Sequence, residues 1–341
     1  MRGPGTGTER RSGRAPAAVE PPAPGMSPAT GEAPAAGSSA APGAPPAPPD
    51  QAVEFCGLRL AHPVINASGT FDLLAAAGCF DDGLFDPLPF SAYVSKTITL
   101  APRAGNAPPR LWEAAAGMVN SIGLPNRGLW GYLDHDLPAL VGLLGATPLI
   151  TNVMGSSGEE LATLVEPLSA RSEVAAIELN VSCPNVHTGL DLGADPGELA
   201  RAVARVRRCT DKPLVVKLTP NAADVSSVAA AAQAAGADAV SLINTLRAMA
   251  LGPHGRPWLG AGTGGLSGPA VRTVALAQVA AVAARVDIPV VGMGGVQCAR
   301  HARDLIDVGA TLVAVGTESF RDPAAGARIA AQLPTIPRKR R

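Results

Sequence analysis

The feature that most constrains this chain is an alternation that repeats along most of its length. Eight short apolar runs, 63-PVINAS, 93-YVSKTI, 148-PLITNV, 175-AAIELNVS, 213-PLVVKLT, 239-AVSLIN, 289-PVVGMGG and 312-LVAVGT, are separated by longer stretches, several of them Ala-rich. Most of the runs are continuously apolar, the pattern of parallel strands covered on both faces. The stretches 158–171, 197–209, 223–235, 268–285 and 299–308 have the length of helices. Asp195-Pro196 and Ser267-Gly268-Pro269 mark two helix starts, and Asp224 falls in the first turn of a third. Gly236 and Gly309 suit the position just past a helix end. Strand and helix alternating about eight times predict an α/β fold, a (β/α)8 TIM barrel. A doubly wound sheet is the competitor, but no GxGxxG follows the first strand. The stretch from Thr99 to Thr147 far exceeds the usual connection of about two to six residues, so it is expected to carry function.

Composition sets the limits of that barrel. The chain has 341 residues, 47% hydrophobic and 16% charged, enough for one large core. Residues 1–50 differ, with 12 Pro, 12 Ala and 8 Gly and no Leu, Ile, Phe, Tyr or Trp. Such a segment cannot bury enough apolar surface to offset its ordering entropy. The expected organisation is a disordered tail over 1–50, a catalytic barrel over 51–335 and a basic tail over 336–341. Arg338-Lys339-Arg340-Arg341 reads as solvated, and 28 basic residues balance 28 acidic ones, so no nucleic-acid partner is expected. Arg2, Arg10, Arg11 and Arg14 raise the question of a transit peptide, which the proline density opposes; Met26 is an alternative start. No signal peptide and no run near the ~20 apolar residues of a membrane span are present, so a cytoplasmic protein is expected. Cys56, Cys79, Cys183, Cys209 and Cys298 form no CxxC, and the five histidines form no HxH or HExxH. No disulfide framework, iron–sulfur centre or metal site is expected within the chain.

In a TIM barrel the chemistry sits at the C-terminal strand ends. Those ends carry Ser68, Lys96-Thr97, Asn152, Asn180, Lys217, Asn244-Thr245, Gly294-Gly295 and Gly316-Thr317. Of four lysines, Lys96 and Lys217 fall within apolar strand runs. A closed barrel has no edge from which a lysine can snorkel, so a buried ammonium needs a partner, and an anionic ligand would supply one. Asn152, Asn180 and Asn244 end strands, while Asn120, Asn126 and Asn185 lie in adjoining loops. One such Asn is a turn-former; several converging amides suit a neutral planar ligand with paired donors and acceptors. The glycines after the last two strands read either as plain turns or as a phosphate cradle. Cys183, in NVSCPN past the fourth strand, reads either as inert core or as a proton acceptor facing the mouth. His187 invites a Cys–His nucleophile, but no orienting element accompanies it.

Taken together, ASGTF (67–71), SKT (95–97), PRLWE (109–113), NSIGLPN (120–126), IELNVSCPNV (177–186), VKLTPN (216–221), SLINTL (241–246), GGLSGPA (264–270), GMGGV (292–296) and VGT (315–317) resemble the dihydroorotate dehydrogenases. The likeness runs from about Val53 to Pro323 in the family's order. It implies FMN contacts from Ser68, Lys96, Thr97, Asn152, Asn180, Lys217, Ile243, Gly268, Gly294, Gly295, Gly316 and Thr317. It implies substrate contacts from Lys96, Asn120, Ser121, Ile122, Gly123, Leu124, Asn180, Asn185, Asn244 and Thr245. Cys183 is the implied base, removing a ring proton of dihydroorotate while hydride leaves the neighbouring carbon for the flavin. Lys217 is implied to stabilise the charge that the reduced flavin gains.

A cysteine base and a tail without large apolar residues resemble class 1 of the family, and INTL followed by GGLSGPA resembles its NAD-linked class 1B. That likeness implies a separate subunit carrying FAD and a [2Fe–2S] cluster, and a homodimer or heterotetramer. Two other enzymes remain as alternatives: a related FMN barrel reducing other dihydropyrimidines, and a barrel aldolase using Lys217 as a Schiff-base lysine. A non-catalytic binding barrel leaves the lysines, cysteine and amides without a purpose. The segment 247–263, Gly- and Pro-rich with Trp258, is expected either to shape a partner surface or to pack on the barrel.

Overall fold

A computed structural model describes residues 51–80, 86–181 and 192–333. Eight strands form one sheet: β1 (Val64–Asn66), β2 (Tyr93–Val94), β3 (Leu149–Val153), β4 (Val174–Asn180), β5 (Leu214–Lys217), β6 (Ala239–Leu242), β7 (Val290–Met293) and β8 (Leu312–Val315). Their order is β1-β8-β7-β6-β5-β4-β3-β2, and every neighbouring pair is parallel. Consecutive strands are therefore neighbours all the way round, without the reversal that a doubly wound sheet requires. This is the expected TIM barrel.

Closure between β1 and β2 uses side chains in place of a regular ladder, Asn66 foremost. Asn66 is fully buried; its Nδ2 donates to the Val94 carbonyl at 2.8 Å, and its Oδ1 accepts from the Val94 N–H at 2.8 Å. The amide thus stands in for a backbone ladder pair where β2 is only two residues long. Ser91 N–H adds a backbone bond to the Val64 carbonyl at 3.1 Å.

Strand alternation sorts the core into two parts. Ile65, Val94, Ile150, Ala176, Val215, Ala239, Val291 and Leu312, one from each strand, form an inner cluster with Phe55 and Leu60. Those last two come from an antiparallel hairpin, Val53–Phe55 with Leu58–Leu60. Cys56 and Gly57 turn that hairpin with φ of 50° and 80°, the left-handed pair that a two-residue loop needs. The opposite strand faces pack against the surrounding helices in a second, larger cluster.

The helices begin where their caps dictate. Asp195 accepts from Glu198 N–H ahead of Pro196–Arg207, and Ser157 accepts from Glu160 N–H ahead of Gly158–Ser169. Asp224 is itself the cap of Val225–Ala234, one position outside the first turn expected for it, because its carboxylate takes the N–H groups of Ser226 and Ser227. Gly236 and Gly309 follow helices with φ of 101° and 116°, the left-handed backbone that glycine tolerates there. The 268–285 helix opens with a 3-10 turn, Pro269–Val271, before Arg272–Ala283.

The long stretch after β2 is not loop throughout. It holds the hairpin Leu111–Ala114 with Gly117–Asn120, then helical turns from Gly128 to Leu144. Gly117–Asn120 pairs with Gly264–Ser267, which pairs with Leu246–Ala248, making a four-stranded antiparallel sheet. Trp258, in the 247–263 segment, packs edge-on against Trp112 of the hairpin, with ring centroids 5.3 Å apart. That segment packs on the hairpin through one edge of Trp258, which stays 38% exposed.

Candidate active site

A cavity of about 410 Å³ opens between the C-terminal strand ends and the antiparallel sheet. Its walls bring together Ser68, Lys96, Thr97, Asn180, Lys217, Ile243, Asn244, Thr245, Gly268, Gly294, Gly295, Gly316 and Thr317 from the barrel side. The antiparallel sheet and its loop add Asn120, Ile122, Gly123 and Leu124. Residues from about 250 positions of sequence meet there because each strand of a barrel ends at the same mouth.

The polar groups form a chain across the floor. Ser68 Oγ donates to the Ser95 carbonyl at 2.8 Å and lies 3.4 Å from Thr97 Oγ1. Asn180 Nδ2 donates to Thr97 Oγ1 at 3.4 Å, and Asn244 Nδ2 to Asn180 Oδ1 at 3.4 Å. Asn244 Oδ1 is held by the Thr245 N–H at 2.9 Å. These contacts fix how the amides present their edges, and the long ones leave room to tighten around a ligand.

The two lysines separate on inspection. Lys217 ends β5 and is 5% exposed, and among the described residues no ion pair or hydrogen bond engages its ammonium. Lys96 is not buried: it falls where the ladder to β3 is interrupted, between Ser95, whose N–H reaches the Ile150 carbonyl, and the bridge of Ile98 to Val153. It is partly exposed and pairs with Asp72 at 3.1 Å. The expectation of a buried ammonium therefore holds for Lys217 and fails for Lys96. Asp72 carries a double load, since its other oxygen caps the helix Leu73–Ala77.

At the β7 and β8 ends the backbone itself is exposed to the cavity. Gly294 and Gly295 have φ of 128° and 70°, and Gly268, facing them, has φ of 89°. A Cβ on Gly295 would lie 2.7 Å from Arg272 Cβ and 3.0 Å from the Gly268 carbonyl. Only glycine fits, which leaves backbone N–H groups accessible to an anion. Thr317 Oγ1 donates to Ser267 Oγ at 2.9 Å and ties this corner to the antiparallel sheet.

Two implied contacts are not on the cavity wall. Ser121 is fully buried, and its Oγ accepts from Asn106 Nδ2 at 2.9 Å, so it braces the loop that carries Asn120 and Leu124. Asn152 is fully buried one layer down, donating to Glu178. Asn126 is a turn-former, bonding Thr99, Leu124 and Gly128. Cys183, Asn185 and His187 lie outside the described residues, as do 1–50 and 334–341. Their segment leaves β4 after Asn180, and the Gly193 N–H returns to the Val181 carbonyl at 3.0 Å.

Glu178 and Asp72 are what sequence reading passed over. Glu178 lies in the quoted IELN, two residues before Asn180, so strand alternation alone places it on the same inward face. No group of His, Cys, Asp or Glu suited to a metal occurs among the described residues. The one described cysteine with a displaced pKa, Cys56, is pushed up to about 12 by burial and sits in the hairpin turn.

A family model described as dihydroorotate dehydrogenase matches residues 51–336. A protein of Citrifermentans bemidjiense named dihydroorotate dehydrogenase B (NAD(+)), catalytic subunit, is 45% identical over 287 residues, which are 84% of this chain and 92% of that protein. A protein of the same name from Geobacter sulfurreducens is similar to the same extent. A relative from Solibacter usitatus, 42% identical over 287 residues, carries a name of the fumarate-linked A type.

Proposed function

The chain belongs to the dihydroorotate dehydrogenase family, oxidoreductases of pyrimidine biosynthesis, and on that premise we propose that it oxidises dihydroorotate to orotate with bound FMN. The observation that carries this reading is Lys217, a buried ammonium with no ion pair or hydrogen bond among the described residues, sharing one cavity with a chain of amides and a glycine-lined corner. The residues fit the group: the Gly294–Gly295 and Gly316–Thr317 backbone suits its phosphate, and Lys217 suits an electron-rich ring. FMN, when bound, supplies the hydride acceptor.

This chain's own residues do the rest. Cys183, three positions past Asn180, takes a proton from the substrate ring as the adjacent carbon gives up hydride. Asn120, Asn180, Asn185 and Asn244 meet the donors and acceptors along the pyrimidine edge, while Lys96 meets the carboxylate. Lys217 acts as a fixed charge rather than a Schiff-base nucleophile, which the family's chemistry does not use. Electrons pass to NAD through a separate subunit with FAD and a [2Fe–2S] cluster, a reading supported by the NAD-linked names of the relatives.

The experiment is direct. Purified protein should be yellow with about one flavin per chain, and dihydroorotate added without oxygen should bleach it. Protein that folds by circular dichroism yet takes up no FMN ends this reading.

A further inference from the structure

Among the described residues, Glu178 is the one buried acidic side chain, 4% exposed, and Lys217 the one buried ammonium. They stand on adjacent strands. Asn180 pairs in register with Lys217, and Glu178 lies two residues earlier on the same face. The carboxylate is thus one layer beneath the cavity floor, at a rise of roughly 6–7 Å. It is held only by neutral donors, Asn152 Nδ2 at 2.5 Å and Ser241 Oγ at 2.6 Å, with no basic group in ion-pairing range among the described residues. A buried acid compensated by dipoles alone costs stability that a glutamine or an apolar side chain would not. The reaction proposed for the cavity does not use it.

We propose that Glu178 tunes the reduction potential of the bound flavin, lowering it against the pull of Lys217. Lys217 favours the ring that has gained two electrons and negative charge; a fixed negative charge beneath the floor opposes it. The net effect keeps reduced flavin ready to pass electrons to a low-potential acceptor. Glu178 touches neither flavin nor substrate, so it is a positioning charge. The inference rests on the flavin reading above.

The test is the flavin midpoint potential, measured by equilibration with reference dyes in the full chain. Glu178→Gln and Glu178→Met both remove the charge at similar length, and Glu178→Asp keeps it. At an effective dielectric constant of about 20, unit charges at this spacing shift an equilibrium by roughly 50–100-fold, so Gln and Met should each raise the potential by about 50–60 mV for the two-electron couple. Asp should remain close to wild type. Flavin bound at the wild-type potential in Gln and Met overturns the proposal. So does loss of flavin from both variants while wild type retains it, which would make Glu178 a structural residue. Failure of the wild-type chain to bind any flavin is a different result and removes the flavin reading itself.

Discussion

His62 is buried at 9% exposure, and its Nδ1 accepts from the Val64 N–H at 3.3 Å. Burial pushes its pKa down to about 4, so it is neutral in the folded protein at neutral pH. Between about pH 6.5 and 4 the unfolded chain takes up a proton that the folded one refuses, so this stability is present above pH 6.5 and lost as pH falls toward 4. The full loss is on the order of 3 kcal/mol. Urea denaturation at pH 7.5 and 4.5 should show it, and His62→Gln should shrink the difference. On the proposed function, Cys183→Ala should leave flavin bound and slow its reduction by dihydroorotate roughly 10²–10⁴-fold, the usual worth of a placed base. Cys183→Ser should be slow too and recover partly at high pH, since a hydroxyl is harder to deprotonate. Stopped-flow bleaching reads both; a wild-type rate in the Ala variant would return Cys183 to packing. Cys56 offers no substitute base, because burial disfavours its thiolate.

Barrel closure is an element-scale matter. The β1–β2 seam depends on the Asn66 amide bridging both polar groups of Val94. Asn66→Leu keeps the branched shape but leaves a buried N–H and carbonyl unpaired, at about 1–3 kcal/mol each. A loss of about 2–6 kcal/mol in urea denaturation is expected, while Asn66→Asp should retain one of the two bonds at the cost of burying a charge. Asp195→Ala removes a single cap bond of 2.7 Å at the start of Pro196–Arg207 and should cost only about 1 kcal/mol. The contrast separates a seam, where nothing else satisfies the backbone, from a helix end, where water can.

For the whole molecule the question is where the electrons leave. No helix of the described residues is long and apolar enough to cross a membrane. On the proposed function, the isolated chain should reduce artificial dyes with dihydroorotate yet reduce NAD only slightly, because the second redox centre between flavin and nicotinamide would lie on the separate subunit. Adding a subunit with FAD and a [2Fe–2S] cluster from the same organism should restore NAD reduction and co-purify with the chain. Trp258, with Met249 and Leu251 exposed in the same segment, is the first surface to mutate for loss of that association. Robust NAD reduction by the chain alone, or strong activity with fumarate and no stable partner, would defeat the NAD assignment. The flavin and Cys183 expectations would survive either outcome.

What the amino-acid order determined by itself is everything governed by local periodicity and local chemistry. Eight apolar runs separated by stretches long enough for helices specify eight parallel strands, because runs covered on both faces need helices between them. Asp195 and Gly309 mark helix boundaries through bonds and φ angles that involve only near neighbours. Lys217 was legible as a buried charge because β5 continues to its end. Lys96 was not, because nothing in YVSKTI says that the ladder to β3 is interrupted between Ser95 and Ile98; that depends on the neighbouring strand. The antiparallel sheet joins residues 111–120 to 246–267, and only packing over the mouth selects that register. Asn66 bonding Val94, Ser121 buried behind its own loop and Glu178 beneath Lys217 are likewise contacts across strands. Tertiary structure decided them because a side chain's partner, and the dielectric around it, are set by whatever the fold brings alongside.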